Sequence, residues 1–177
     1  MASISKPYVI VVGVDYSETG NLALDRALEL AIRTPAAEVH VVNVMPPMAS
    51  DPMPTLLPTW AGALPPLAEA AKELQAYVDR RVVDFRARQL HGELGCLETI
   101  RAHQRVNVPA EEVAQLAADV DADLVVVGTH GRRGMSRLVL GSVAETTVRL
   151  APCAVLAVRP KGDRLGADTN LPLVGRR

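Results

Sequence analysis

The sequence predicts an α/β fold: a single, doubly wound sheet of five parallel strands with helices on both faces. Short runs rich in Val and Ile alternate along the chain with longer segments whose apolar residues recur at helical spacing. The strand-like runs show almost no polar alternation, which is typical of strands covered on both faces. Aromatic residues make up only 3% of the chain although 49% of it is hydrophobic. The core must therefore consist of Val, Leu, Ala and Ile.

The first part of the chain predicts a strand, a helix and a second strand. Residues 8–14 are almost all β-branched, and Asp15 stands at the end of this first strand. A helix is predicted from residue 17 to about residue 33, and residues 38–44 form the second strand. This order favours parallel pairing of the two strands through a right-handed crossover.

Residues 45–66 interrupt this pattern with a long inserted loop. They hold seven of the chain's thirteen prolines, and proline at this density excludes a regular helix or a central strand. The segment is also too long for a simple connector. Two interpretations stay open: an excursion without fixed structure, or a flap or protein contact that shields its large apolar side chains, Met53, Leu56, Leu57 and Trp60.

A long helix is predicted from residue 67 to about residue 90. Its apolar residues at helical spacing predict one buried stripe, made of Leu67, Ala71, Leu74, Val78, Val82 and Phe85. Its arginines fall mostly on the other side, where a solvated face is expected, at Arg80, Arg81, Arg86 and Arg88.

The remaining elements follow the same alternation. A weaker strand is predicted over residues 93–101, followed by an extended stretch at residues 105–108. Pro109 with two acidic residues behind it opens a helix to about Asp119, as proline in a first turn suggests. The last three elements are a strand, a short helix and a strand, over residues 123–128, 143–150 and 153–158.

Length, charge and hydrophobic patterning predict the domain organisation, the partners and the location of the chain. Residues 1–160 are expected to form the one domain, with residues 161–177 as a flexible tail. A net charge of −1 gives no reason to expect nucleic acid or a membrane as partner. The start of the chain lacks the build of a signal peptide, and no apolar run approaches about 20 residues, so a cytoplasmic protein is predicted.

The cysteines and histidines do not suggest a disulfide framework or a metal site. The two cysteines are Cys96 and Cys153, and Cys153 is predicted to be a buried, reduced thiol in the last strand. His91, Cys96 and His103 lack the spacing of a zinc site.

The candidate functional element is a glycine loop between the fourth strand and the last helix. It begins with Gly128-Thr129-His130-Gly131 and ends with Gly141-Ser142. Glycine lets a ligand approach the backbone, and the free N–H groups of a helix N-terminus suit a phosphate. Ser142 is predicted to be the N-cap, with Glu145 completing a capping box. The loop also carries three arginines that can offset phosphate charge, Arg132, Arg133 and Arg137.

Three strand ends are expected to meet at one crevice. Asp15, Val44 and Gly128 end the first, second and fourth strands, and ligands bind doubly wound sheets beyond the carboxyl ends of strands. Asp15 could accept hydrogen bonds from a ribose or an adenine, could cap the helix that follows, or could do both. His130 is a possible general base, but no nucleophile or paired acid stands beside it in the sequence.

The pattern Gly128-x2-Gly131-x9-Gly141-Ser142 resembles, in both spacings, the ATP-binding signature of universal stress proteins. The resemblance runs from about Tyr8 to Arg159, with Asn107 where that family usually has glycine. It implies the strand order 3-2-1-4-5. It implies that Asp15 and Val44 hold adenine and ribose, that Val14 and Gly128 line the same side, and that the glycine loop holds the phosphates. The residues implied to bind ATP are Val14, Asp15, Val44, Gly128, His130, Gly131, Arg132, Gly141, Ser142 and Val143.

The resemblance implies a dimeric, ATP-binding stress module, with Mg2+ left open as a companion of the nucleotide. Homodimers are expected through antiparallel pairing of the last strand, Cys153 to Val158, and the loop at 45–66 is a candidate contact for a protein partner. One alternative is a slow ATP hydrolase or a self-phosphorylating enzyme, although the pyrophosphatase loop Ser-Gly-Gly-x-Asp-Ser is absent after the first strand. Another is a dimeric scaffold that binds cyclic AMP or no nucleotide.

Overall fold

A computed structural model describes residues 6–47, 65–88, 99–129 and 141–160 of the chain. Several sequence predictions lie outside these ranges. They are the body of the Pro-rich insert at 48–64, the strand start at 93–98, His91 and Cys96, the loop residues His130, Gly131, Arg132, Arg133 and Arg137, and the tail at 161–177.

Strands and helices alternate through the described residues as predicted. In chain order they are β1 Tyr8–Gly13, α1 Glu18–Ala31, β2 Ala37–Met45, α2 Leu67–Arg88, β3 Thr99–Val106, α3 Pro109–Asp119, β4 Leu124–Gly128, α4 Ser142–Leu150 and β5 Ala154–Val158. Every pair of neighbouring strands is parallel, in the order β3-β2-β1-β4-β5. The predicted fold class and strand order are confirmed, and the strand order reverses between β1 and β4.

Helices cover both faces of the sheet. Ile10 and Val12 of β1 pack with Leu24 of α1 and Leu74 of α2 in one buried cluster. The alternate β1 residues, Val9 and Val11, face the other way and pack against α3, in a cluster that includes Val113, Leu116 and Ala144. Both clusters consist almost wholly of aliphatic side chains, which confirms the predicted core composition.

The start of α4 differs from the prediction. The N-cap is Gly141, whose φ of −58° and ψ of 147° are extended, and no side chain caps the helix. The Glu145 N–H bonds to the Gly141 carbonyl at 2.9 Å, so Ser142 is already the first helical residue. The predicted capping box is therefore wrong, and the Glu145 carboxylate instead pairs with Arg149 at 2.7 Å.

The third strand continues where the sequence predicted an interruption. β3 runs without a break through Ala102–Gln104, the stretch that the sequence left between two separate segments. Its ladder with β2 extends from the Glu38–Thr99 pair to the Met45–Val106 pair. Polar side chains made the sequence signal weak here, and backbone pairing with a buried neighbour overrides local propensity.

Helix α2 also departs from its predicted faces. Leu67 is 50% exposed and Ala71 is exposed, whereas Ala70 is buried in place of Ala71. Arg81 and Arg88 do not simply face solvent, because both bind the carboxylate of Asp25 on α1, at 2.5 and 3.1 Å. The Asp25 side chain is only 13% exposed, so it requires such cationic partners.

Cys153 is less buried than predicted and lies just before β5. It is partly buried against the cluster on the α3 face. Burial, followed by the nearby charge of Asp123, raises the pKa of its thiol. The protonated thiol is therefore favoured, which leaves Cys153 a poor nucleophile.

Two histidines on the neighbouring strands β2 and β3 form a polar contact. Nδ1 of His40 lies 3.0 Å from Nε2 of His103, and the rings stack with centroids 5.1 Å apart. His40 is 3% exposed. Burial lowers the pKa of both side chains, with further lowering by Arg101 at His40 and by His40, Arg105 and Arg101 at His103. Glu38, 3.7 Å from Nε2 of His40, acts in the opposite direction on His40 but does not outweigh burial.

This contact predicts destabilisation by acid. A free histidine has a pKa of about 6.5, and both folded-state values lie below that. As the pH falls below about 6.5 the unfolded chain takes up protons that the folded chain does not, so the free energy of unfolding falls. We expect the melting temperature to drop between about pH 7.5 and pH 5.5. The drop should be smaller in a His40→Gln, His103→Gln double variant; equal slopes in the two chains would contradict the prediction.

Candidate functional site

The turn after β1 places Asp15 over the start of α1. Oδ1 of Asp15, which is half-buried, accepts hydrogen bonds from the Ser17 N–H at 3.0 Å and from the Ser17 hydroxyl at 2.5 Å. The Ser17 oxygen in turn accepts the Gly20 N–H at 3.1 Å, as the N-cap of α1. Asp15 therefore fixes the N-cap residue of α1, and the turn leaves its carboxylate at the carboxyl edge of the sheet.

Gly20 gives the Asp15 carboxylate its position. A Cβ atom on Gly20 would lie 2.7 Å from Oδ1 of Asp15 and 3.2 Å from the Asp15 nitrogen. A side chain at this position would displace the acid from the positive end of α1. No sequence pattern marks Gly20, because the close contact depends on how tightly the turn folds back on the helix.

Gly128 brings β4 against the same helix start. A Cβ atom on Gly128 would lie 2.9 Å from the carbonyl carbon of Thr19 and 3.0 Å from its Cβ and oxygen. The end of β4 and the first turn of α1 therefore touch through backbone, at the point where the strand order reverses. Asp15 and the beginning of the glycine loop belong to one crevice for this reason.

The two ends of the glycine loop also meet. The Gly141 N–H donates to the Thr129 carbonyl at 2.8 Å, and the Thr129 N–H donates to the Val158 carbonyl at 2.8 Å. Gly128, the last residue of β4, thus lies beside the N-terminus of α4. Ser142 and Val143 are exposed on its first turn. The structure brings together the described parts of the glycine signature.

Val14 and Val44 lie near the crevice in different ways. Val14 is 5% exposed, its side chain packs in the cluster under α1 and α2, and its N–H donates to the Val42 carbonyl at 2.9 Å. Val44 is half-buried and packs against the cluster on the opposite face, next to Arg105 in the ladder. The side chains of Val14 and Val44 therefore pack on opposite faces of the sheet.

Two side-chain amides, those of Asn43 and Gln104, form a hydrogen-bonded chain that ends at Val14, just beyond β1. Asn43 of β2 donates from Nδ2 to the Val14 carbonyl at 2.8 Å. Gln104 of β3 donates from Nε2 to Oδ1 of Asn43 at 3.0 Å, which orients the Asn43 amide toward Val14. The sequence showed Asn43 only as a polar residue within a strand and left Gln104 outside the predicted strands, since their partners lie on other strands.

The site offers groups that suit the binding of an anion. Its described part combines an acceptor carboxylate, glycines that allow close approach, and the N–H groups at the starts of α1 and α4. In residues 6–47, 65–88, 99–129 and 141–160, no group of three or more His, Cys, Asp or Glu side chains could hold a metal ion. Within the same ranges no helix is both long and apolar enough to cross a membrane.

Comparison with known proteins agrees with this architecture. The model of the universal stress protein family matches residues 8–159 of the chain. Universal stress protein MJ0577 of Methanocaldococcus jannaschii is 26% identical over 160 residues, which cover 86% of this chain and 94% of that protein. Universal stress protein MJ0531 of the same organism is 48% identical over 52 residues, but this match spans only 29% of the chain and 31% of that relative.

Solved structures show the same fold at low sequence identity. Universal stress protein UspA from Lactobacillus plantarum has a TM-score of 0.57 at 22% identity, covering 88% of this chain and 99% of its own. A universal stress protein in complex with cAMP has a TM-score of 0.60 at 23% identity, covering 86% of this chain and 97% of its own.

Proposed function

The chain belongs to the universal stress protein family, and from this premise we propose that it is a cytoplasmic module that binds ATP in the crevice beside Asp15. The observation that supports this most directly is the hydrogen bond between Thr129 and Gly141, which draws together the two ends of the glycine signature. An adenine nucleotide needs acceptors for its base and sugar and donors for its phosphates, and both types of group lie at this edge.

The proposed roles follow the position of each residue. Asp15 and Val44 hold the adenine and the ribose, with the Val14 backbone on the same side. The phosphates lie over the glycine loop and the start of α4, where Ser142 and Val143 are exposed. In this scheme Mg2+ would be held by the phosphates and water, since the described residues include no group of three or more His, Cys, Asp or Glu that could hold a metal ion. Gly131, Arg132 and Gly141 complete the phosphate site, Gly128 lines the same side as Val14, and His130 lies in the same loop.

We propose that this site responds to nucleotide and does not turn it over rapidly. Among the described residues, Asp15 is the carboxylate at the crevice, and Ser17 and the α1 N-terminus already engage it. Cys153 lies before β5 with a raised pKa, so it does not supply a nucleophile. Slow ATP hydrolysis or self-phosphorylation is the enzymatic alternative, and release of ADP over many turnovers would favour it.

Cyclic AMP is a second candidate ligand. A solved structure of similar fold is a complex with cAMP. Cyclic AMP carries one phosphate charge, whereas ATP carries several, so the loop arginines should favour ATP. Competition between the two nucleotides at increasing salt separates the candidates, because added salt weakens the binding of the more highly charged ligand more strongly.

A homodimer completes the proposal. β5 pairs with β4 on one side, and no other described strand pairs with its outer edge. Exposed apolar side chains gather on β5 and the helix before it, at Val148, Leu150 and Leu156, which are 51%, 48% and 37% exposed. An unprotected apolar edge strand favours pairing with a second copy.

Gly141→Val tests the ATP site with little effect on the fold. Gly141 has φ −58° and ψ 147°, which a valine can also adopt, so the variant should fold. Its side chain would stand where the phosphates approach the α4 N-terminus. We expect the parent to bind ATP with a Kd of about micromolar order by calorimetry, and Gly141→Val and Gly131→Val to weaken it at least about tenfold.

Gly134→Val is the matched control, because Gly134 lies in the same loop but outside the signature. It should bind ATP within about twofold of the parent. If both signature variants bind ATP like the parent, the loop assignment is wrong. If the parent binds neither ATP nor cyclic AMP, a nucleotide-free scaffold becomes the better proposal.

A further inference from the structure

Tyr16 holds an unusual backbone conformation at the mouth of the crevice. Its φ is 63°, in the left-handed region that residues other than glycine rarely adopt, and Tyr16 is 37% exposed. It stands between Asp15 and Ser17, so its conformation sets the direction in which the turn leaves β1. A strained residue at such a position persists only where its surroundings hold it.

Helix α2 contributes a contact that supports Tyr16. The ring of Tyr77 meets the ring of Tyr16 edge-on, with centroids 4.9 Å apart and planes at 88°. The Tyr77 hydroxyl donates to Oδ1 of Asn21, in the first turn of α1, at 2.6 Å. Burial raises the pKa of Tyr77 to about 12, so the hydroxyl keeps its proton and remains a donor.

Helix α2 is fixed to α1 along the same face. Arg81 and Arg88 both bind Asp25, one turn beyond Asn21. Tyr77 and Arg81 are four residues apart and therefore lie on one side of α2. The two helices consequently dock as a pair, with the Tyr77 ring over the Asp15 turn and the arginines further along.

We propose that Tyr77 is a positioning residue for the nucleotide site, acting through the Tyr16 ring to hold the Asp15 turn in its binding conformation. The docking of α2 on α1 then sets the affinity of the crevice, and a change in that docking changes nucleotide binding without touching the ligand. This inference rests on the proposed nucleotide-binding function. It adds a coupling between the crevice and helix α2, which carries no residue of the glycine signature.

The first test compares two substitutions at Tyr77. Tyr77→Phe keeps the ring edge and loses only the bond to Asn21, so its ATP affinity should stay within about twofold of the parent. Tyr77→Leu loses the aromatic contact, and its affinity should fall about fivefold. Equal affinity of Tyr77→Leu and the parent would overturn the proposal.

A double-mutant cycle then separates positioning from a general loss of stability. Tyr16→Gly adopts the positive φ without strain and removes the second ring, so Tyr77→Leu should have no further effect in that background. Leu116→Ala, in the buried cluster on the other face, should lower the melting temperature and leave the ATP affinity unchanged. A fivefold loss in Leu116→Ala, or an undiminished Tyr77→Leu effect beside Tyr16→Gly, would contradict the coupling.

Hydrogen exchange of the unliganded chain provides a measurement that does not depend on ATP. The amides of Ser17 and Gly20, which bond to Asp15 and to the Ser17 side chain, should exchange faster in Tyr77→Leu than in Tyr77→Phe. Faster exchange in a chain that binds no nucleotide would leave the coupling intact and reject the proposed function. Unchanged exchange beside intact ATP binding would reject the coupling alone.

Discussion

Gly128→Ala is expected to lower the free energy of unfolding by about 1–3 kcal/mol and to weaken ATP binding at the same time. The added Cβ would lie 2.9 Å from the carbonyl carbon of Thr19, closer than real Cβ atoms approach other heavy atoms. The obstacle is backbone in the first turn of α1, so it cannot rotate away. Either β4 or α1 must move, and both carry parts of the proposed crevice.

Gly13→Ala is the matched control for this substitution. Gly13 ends β1, next to β4 in the sheet, and its added Cβ would meet only side-chain methyl groups, of Val113 at 3.3 Å and Val127 at 3.4 Å. Those groups can yield by a few tenths of an ångström, and alanine costs less backbone entropy than glycine, so the net change should be small. Urea unfolding measures both variants. A loss in Gly13→Ala as large as in Gly128→Ala would contradict the argument from backbone contact.

Local signals predicted most of the elements. Ser17 caps α1 and Pro109 begins α3, as expected from residues that determine a helix start through their own chemistry. The predicted start of α4 was wrong because a contact between distant residues overrode the local signal. Ser142 has the right side chain for an N-cap, but the bond between Gly141 and Thr129 makes the glycine the last residue before the helix.

Predictions that needed long-range partners were less complete. The polar residues of β3 concealed the continuity of a strand whose pairing with β2 extends from Thr99 to Val106. Arg81 was expected in solvent, yet a carboxylate on another helix, 56 residues earlier, engages it. Neither contact leaves a periodic signal in the sequence, because each depends on the final packing of two separate elements.

The site shows the same difference between local signals and long-range contacts. Parallel strands end at one edge, so the convergence of Asp15, Val44 and Gly128 followed from the order of elements alone. The contacts that support that edge could not be predicted from the order of elements. Asn43 and Tyr77 hold the Val14 carbonyl and the Tyr16 ring from neighbouring elements, and a single sequence cannot pair them. The glycine signature indicated where a ligand would lie, while the structure shows what fixes the Asp15 side of the crevice.

Leu156→Glu is expected to convert the proposed dimer into a monomer. Leu156 is 37% exposed on β5, an edge strand whose outer side meets no other described strand. Two-fold pairing of β5 with a second copy would bury this leucine and bring the two introduced carboxylates near each other, so the substitution adds desolvation and repulsion together. Sedimentation velocity should show the dimer dissociating at concentrations at least about 100-fold higher than for the parent.

Val83→Glu separates this effect from the loss of any exposed apolar side chain. Val83 lies on α2, away from β5, and at 64% it is more exposed than Leu156. Its replacement removes apolar surface of similar kind but leaves the proposed interface intact, so the dimer should persist. A parent chain that is monomeric at about 100 µM would reject the dimer, since specific homodimers are normally formed well below that concentration. Dissociation by Val83→Glu would instead place the interface on α2, where Tyr77 and Arg81 dock, and would connect assembly to the Asp15 turn.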